Sequence, residues 1–173
     1  MSDSIEFSRP LDVFRLPAVG LSRKIAAKAD ERVALAKRFA LLSLDRFEAE
    51  IEVVAVPGGL YRLTATLQAE LVQECVVTLD SVPSRVEETF TLLYGKAEEA
   101  ETVLLDSDSD PVEPLEAGII DVGEAVAQQL SLVLDPFPRA PGVPPEIAPI
   151  SIEPPAPESP FAVLAKLRKD PPE

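Results

Sequence analysis

The sequence has no histidine, no tryptophan and a single cysteine, Cys75, among its 173 residues. Without histidine, neither a Ser-His-Asp triad nor a histidine metal site can be built, and one thiol is too few for a structural zinc site. One cysteine also excludes a disulfide framework within the chain and is typical of a reducing compartment. We therefore predict a protein that is not an enzyme and that needs no metal or other cofactor.

Long apolar runs are missing as well. No stretch approaches the ~20 apolar residues that a membrane-spanning helix requires. The first six residues lack the basic region and the apolar core of a secretory signal. Hydrophobic residues nevertheless make up 46% of the chain, which is enough for a packed core. These features predict a soluble cytoplasmic protein with no membrane partner.

Charge is abundant but unevenly distributed. The chain has 30 acidic and 16 basic residues, for a formal net charge of -14. Residues 1–46 sum to +3, residues 47–158 to -18 and residues 159–173 to +1. Because cations neutralise phosphates, the N-terminal segment suits nucleic acid, whereas the acidic body suits a basic protein.

The first 40 residues predict an extended segment followed by a helix. Residues 4–16 have scattered apolar residues and Pro10, which is typical of an edge strand or a bend. A helical period follows between Ala26 and Ala40, with Asp30 as the expected N-cap. Its apolar face consists of Ile25, Ala29, Val33, Ala36 and Ala40, and Leu35 and Phe39 widen it.

Two alternating runs predict a β-hairpin. Apolar residues alternate with charged ones from Arg46 to Val53, and again from Tyr61 to Leu71, on either side of Pro57-Gly58-Gly59. Pro83 breaks the pattern, and a third strand follows through Phe90. Because a hairpin alone is marginal, at least three strands and a covering helix are expected.

The remainder predicts a second helix and an extension. Residues 95–118 form an acidic loop, and residues 119–134 have a helical period with Asp121 and Glu124 at capping-box spacing. Ten prolines lie between residues 136 and 160, a composition typical of a polyproline-like tether. We therefore predict an α+β domain over residues 1–135, with an antiparallel sheet covered by two helices. A Pro-rich C-terminal extension follows it: the tether at 136–160 and an amphipathic tip at 161–173.

Two sets of residues are candidate contact sites. Lys24, Lys28 and Arg32 are spaced by four and, with Arg23, predict a basic ridge on the first helix. That ridge is either a solvated face or a contact for RNA phosphates. Phe161, Leu164 and Leu167 form an apolar stripe in the tip, which predicts docking on a partner.

Other candidates for chemistry are weak. Asp106, Asp108 and Asp110 alternate like the start of a calcium loop, but Pro111 and Ala117 replace the required glycine and glutamate. The paired acids of the chain indicate no cleft, so a carboxylate hydrolase is the weakest reading. Cys75, beside two valines and far from any histidine, predicts a buried and inert thiol.

Three blocks of sequence carry a resemblance to a known family. The first runs from Leu67 to Leu79 through Cys75 and continues past Pro83 to Phe90. The second comprises residues 120–124 and 129–139, and the third comprises residues 160–167. In this order the blocks resemble the bacterial YceD family, the large ribosomal RNA subunit accumulation proteins. Many relatives carry a second cysteine where this chain has Thr78, so no metal site is implied.

The resemblance implies a non-enzymatic role in the accumulation or processing of large-subunit (23S) rRNA, and hence in ribosome biogenesis. The implied partners are that rRNA or ribosomal proteins, and not DNA. Two mechanisms are open: the Arg23–Arg38 segment contacts rRNA, or an acidic surface around Glu87–Glu116 holds a basic ribosomal protein. The alternative is a generic acidic adaptor, unrelated to ribosomes, whose Pro-rich tail is bound by a partner.

Overall fold

The computed structural model describes residues 5–95 and 111–143. Its elements are β1 (Pro10–Asp12), a single 3-10 turn (Val13–Arg15), β2 (Leu21–Ala26), α1 (Ala29–Arg38), β3 (Ser43–Val56), β4 (Leu60–Glu74), β5 (Ser81–Gly95), β6 (Val112–Pro114), β7 (Ile119–Asp121) and α2 (Val122–Val133). All of them belong to Met1–Pro141, the first of two units into which the chain divides. The predicted α+β fold is confirmed.

The main sheet has five strands in the order β2-β3-β4-β5-β6. β2 to β5 pair antiparallel with their neighbours, and β6 pairs parallel with the end of β5. The predicted hairpin is β3 and β4, and its turn contains Gly58 and Gly59 at φ values of 89° and 75°. Glycine reaches this left-handed region without steric cost, which is why the turn carries two. β1 and β7 form a separate two-stranded sheet.

One face of the main sheet is buried. Because side chains alternate along a strand, Phe47, Ile51 and Val53 of β3 and Leu63 and Leu67 of β4 all point into a single core. α1 packs against β3, and α2 packs against β4 and β5. Both helices contribute buried residues to the same core. The opposite face of the sheet is covered by no helix of the described residues.

The first helix is shorter than predicted and buries only part of the predicted apolar face. Ile25 lies on β2, because β2 pairs with β3 as far as Ala26. The N-cap is Lys28 rather than Asp30. Val33 of the predicted face is 73% exposed, whereas Ala36 and Leu35 are buried. A helical period in the sequence cannot show which stripe of a short helix contacts the sheet, and here contact with β3 decides it.

Two other boundaries differ from the predictions. Pro83 does not end a strand but lies inside β5, opposite Val72. The missing N–H of proline is tolerated there because β5 is an edge strand at that point. In addition, the predicted loop over residues 95–118 contains β6, in which Val112 is buried. Residues 96–110 of that loop lie outside the described residues.

The second helix has the predicted cap at Asp121, but it begins at Val122 and not at residue 119, because residues 119–121 pair with β1 as β7. The carboxylate of Asp121 accepts hydrogen bonds from the N–H groups of Gly123 and Glu124, each 3.1 Å long. Gly123 has a packing role, because a Cβ at this position would lie 2.3 Å from the carbonyl oxygen of Phe7. The N-terminal segment therefore lies directly against the first turn of α2. The predicted tip and most of the predicted tether lie outside the described residues, so those domain boundaries stay a prediction.

Candidate interaction surfaces

The uncovered face of the sheet carries a polar surface, which we call the open face. Alternation sends side chains there from four strands, and cross-strand register aligns them in rows. One row contains Lys24, Glu50, Thr66 and Thr89. The members of the open face include Lys24, Arg46, Glu48, Glu50, Glu52, Arg62, Thr64, Thr66, Gln68, Glu70, Arg85, Glu87, Thr89 and Thr91.

Three cations of the open face are engaged in ion pairs, whereas Arg62 of β4 is exposed and forms no ion pair among the described residues. Lys24 contacts Glu48 at 2.8 Å, Arg46 also pairs with Glu48, and Arg85 lies 3.5 Å from Glu70. Glu50, Glu52 and Glu87, by contrast, are exposed and form no ion pair within the described ranges. The unpaired carboxylates outnumber the unpaired Arg62, so the face presents an excess of negative charge beside the threonine hydroxyls.

The shape of the open face suits a large ligand. Its two depressions, of about 190 and 390 Å³, are shallow and share Gln68 and Glu87. Small-molecule sites are mostly apolar and enclose their ligand, and these depressions are lined mainly by charged and polar side chains. Among residues 5–95 and 111–143, no cluster of three or more acidic or cysteine side chains is placed to hold a metal ion.

The prediction that the four basic residues form a ridge on one helix is wrong. Arg23 and Lys24 lie on β2, opposite Ile51 and Glu50, whereas Lys28 and Arg32 belong to α1. Spacing by four does not align them because the chain is extended before residue 27. Lys24 is further occupied by Glu48. Arg23 and Lys28 remain exposed, and Arg32 donates to the carbonyl oxygen of Ala27 at 3.0 Å.

Two other arginines of the basic N-terminal segment hold the fold together. Arg9 donates two hydrogen bonds of 2.8 Å to Glu31 and lies 4.5 Å above the ring of Phe7. Arg38 donates two hydrogen bonds, of 2.9 and 2.7 Å, to Glu124. These contacts join α1 to the N-terminal segment and to α2. They also withdraw positive charge from any external ligand.

The environment of Glu31 favours its charged form. Its carboxylate accepts the Arg9 hydrogen bonds and also the N–H of Lys28, at 2.7 Å, at the start of α1. The hydrogen bonds from Arg9 are the main reason that the pKa of Glu31 falls from 4.5 to about 2. The Arg38 hydrogen bonds lower the pKa of Glu124 in the same way. Both carboxylates act as structural anchors for arginine.

Cys75 is buried, as its apolar neighbours predict. Its sulfur accepts the N–H of Thr78 at 3.4 Å and the N–H of Ala140 at 3.3 Å. Hydrogen bonding from Thr78, reinforced by that of Ala140, lowers the pKa of the thiol to about 7. A further bond of 2.9 Å joins the N–H of Val76 to the carbonyl of Pro138. Cys75 thus joins the β4–β5 turn to the segment after α2.

The open-face acids of β3 were not identified from the sequence. The signal was present, because Glu48, Glu50 and Glu52 alternate with apolar residues that point into the core. The predicted acidic surface was centred instead on Glu87–Glu116, of which residues 96–110 are not described. Phe161, Leu164 and Leu167 also lie outside the described residues. No helix in the described ranges is long and apolar enough to cross a membrane.

Together, the fold and its surfaces define an α+β protein with a flat, acidic and threonine-rich face and a few exposed cations at one edge. The family of "Large ribosomal RNA subunit accumulation protein YceD" matches residues 63–168, which is more than half of the chain. The chain belongs to this family. The match begins in β4 and includes β5, β6, β7 and α2. No curated protein and no solved structure matches the chain significantly.

Proposed function

We propose that this protein promotes the accumulation of large-subunit (23S) rRNA in the cytoplasm without catalysis, by holding a basic ribosomal protein on its open face. Family membership supports the connection to large-subunit rRNA. The mechanism rests on the physical chemistry of the described surface.

The mechanism rests on which charged side chains of the open face form ion pairs and which do not. Glu50, Glu52 and Glu87 are exposed and without ion pairs in the described part of the chain, whereas Lys24, Arg46 and Arg85 are paired with acids and only Arg62 of the face's cations in that part is unpaired. A face with an excess of negative charge attracts a cationic protein and repels phosphate. The net charge of -14 acts in the same direction.

Direct contact with rRNA is the second candidate. It is favoured by the exposure of Arg23 and Lys28, which form no ion pair among the described residues. Together with Arg32 they span the end of β2 and the start of α1. If these residues carry the function, replacing all three with glutamate reduces the recovery of rRNA. The affinity for RNA would then fall with salt, with a slope set by the few phosphates neutralised.

Sequencing the RNA and identifying the proteins that co-purify with the tagged full-length chain tests the proposal. Recovery of large-subunit ribosomal proteins, retained after nuclease treatment, supports the protein-holding mechanism. Recovery of rRNA alone, lost on replacing Arg23, Lys28 and Arg32, supports RNA contact. A generic acidic adaptor would recover neither rRNA nor ribosomal proteins.

A further inference from the structure

β5 is an edge strand over most of its length. It runs for 15 residues, but β6 pairs only with Leu93, Tyr94 and Gly95. From Ser81 to Leu92, no strand of the described residues pairs with its outer side. An open edge of this length is unusual, because unpaired N–H and C=O groups are a template for another strand.

The register identifies the backbone groups that point outward. The carbonyl of Gly95 accepts the N–H of Leu115, at 2.7 Å, on the β6 side. Pairing with β4 continues without a bulge from Tyr94 to Ser81, so every second residue from Gly95 points outward. Pro83 is one of these positions, which explains why its missing N–H breaks no ladder bond. The others in the open stretch are Arg85, Glu87, Thr89 and Thr91, all exposed.

The charges along this edge favour a cationic partner. Glu87 projects onto the open face and Glu88 onto the opposite side, so both faces of an added strand would meet a carboxylate. The only cation in the stretch, Arg85, lies 3.5 Å from Glu70. A second copy fits less well, because antiparallel pairing centred on Glu87 places the two Glu87 side chains opposite each other.

We propose that the outer edge of β5, from Pro83 to Thr91, binds an extended basic segment of a partner protein by β-strand addition. Main-chain hydrogen bonds supply affinity in this mode, and the flanking glutamates select for lysine and arginine. This inference deepens the proposed function and rests on it, since the basic ribosomal protein would be the source of the segment.

A labelled peptide that alternates lysine and valine is the probe for this edge. We expect it to bind the full-length protein and to slow amide exchange at Arg85, Glu87, Thr89 and Thr91. The same peptide with N-methyl groups on consecutive central residues keeps its charge but cannot pair, and we expect it to bind about ten-fold more weakly. Equal binding of the two peptides, or no added protection at these amides, would overturn the inference.

Proline substitutions provide a matched pair of variants. Thr89→Pro removes one outward N–H and leaves the ladder with β4 intact, as Pro83 already does. Ser22→Pro is its control on the outer edge of β2, where Ala27 donates inward to Phe47 at 2.9 Å and even-numbered residues point outward. We expect Thr89→Pro to bind the peptide about ten-fold more weakly than the unsubstituted chain. We expect Ser22→Pro to bind it as tightly as the unsubstituted chain. If Thr89→Pro does not fold, amide protection in the unsubstituted chain decides the question.

The outcomes separate this inference from the proposed function. If large-subunit proteins are recovered equally by Thr89→Pro and by the unsubstituted chain, the edge of β5 is not the binding site, and the proposed function is unaffected. If no large-subunit protein is recovered at all, the proposed function is wrong. Concentration-dependent dimerisation that Thr89→Pro abolishes would identify a second copy as the occupant and overturn the inference.

Discussion

Arg9 and Glu31 are joined by two parallel hydrogen bonds of 2.8 Å, which connect the segment before β1 to the first turn of α1. Planar pairs of this kind are among the stronger ion pairs in proteins. The side chains of Arg9 and Glu31 are 21% and 14% exposed, so solvent screens the pair only in part. The same carboxylate also accepts the N–H of Lys28 at the start of the helix. One side chain thus anchors both elements.

The first prediction is that Glu31→Gln lowers the free energy of unfolding at neutral pH by about 1–2 kcal/mol. This loss is smaller than the free energy that corresponds to the full pKa shift, because the pair is partly solvated. The folded-state pKa of Glu31 is lowered to about 2, so its stabilisation is present above pH 4.5 and is lost as the pH falls toward 2. Urea unfolding between pH 2 and pH 7 checks this.

The control for this variant is Glu50→Gln, which changes the same charge at an exposed position without an ion pair in the described ranges. We expect its stability to stay within about 0.5 kcal/mol of the unsubstituted chain. If the stability difference between Glu31→Gln and the unsubstituted chain does not shrink in acid, the pair with Arg9 is not the cause.

The second prediction concerns the contact between the N-terminal segment and α2. In Gly123→Ala, the new Cβ would lie 2.3 Å from the carbonyl oxygen of Phe7, so one of the two segments must move. We expect a loss of about 1–3 kcal/mol in the free energy of unfolding. Leu132→Ala, on the same helix but 75% exposed, should cost less than about 0.5 kcal/mol. Equal effects in denaturant unfolding would contradict the close packing.

The third prediction concerns the tip. We expect truncation after Pro157 to leave the melting temperature nearly unchanged and to weaken recruitment to ribosome precursors. An apolar stripe on a segment this short needs a partner surface, because isolated helices below ~12–15 residues are marginal in water. The full-length chain with Phe161, Leu164 and Leu167 replaced by serine should show the same loss in gradient sedimentation. A large drop in melting temperature on truncation would mean that the tip belongs to the core.

Local chemistry was readable from the sequence, whereas pairing between distant segments was not. The cap at Asp121 and the turn at Gly58 depend on adjacent residues, and both were predicted. The prediction of a basic ridge through Lys24 was wrong because a spacing of four residues aligns side chains only in a helix, and Lys24 lies in a strand. Cross-strand pairing with β3 overrides that period. The sequence predicts a strand break at Pro83 because it does not reveal that this strand lies at an edge, where proline is tolerated.

The charge count predicted an acidic body but not its geometry. Glu50 and Glu52 become a surface only because β3 lies inside a sheet with one uncovered face. The partners of the cations could not be predicted either, since Arg38 reaches Glu124 across 86 residues of sequence. The balance between free acids and paired bases, which carries the proposed mechanism, follows from the fold.

The most direct test of that mechanism is quantitative mass spectrometry of the proteins that co-purify with the full-length chain and with two charge-matched variants. Glu50→Gln/Glu52→Gln neutralises the open face, and Asp30→Asn/Asp80→Asn neutralises two exposed acids elsewhere. We predict that the first variant recovers about three- to ten-fold less large-subunit ribosomal protein and that the second recovers a normal amount. Equal recovery by both variants, with rRNA lost only when Arg23, Lys28 and Arg32 are replaced, would contradict the account.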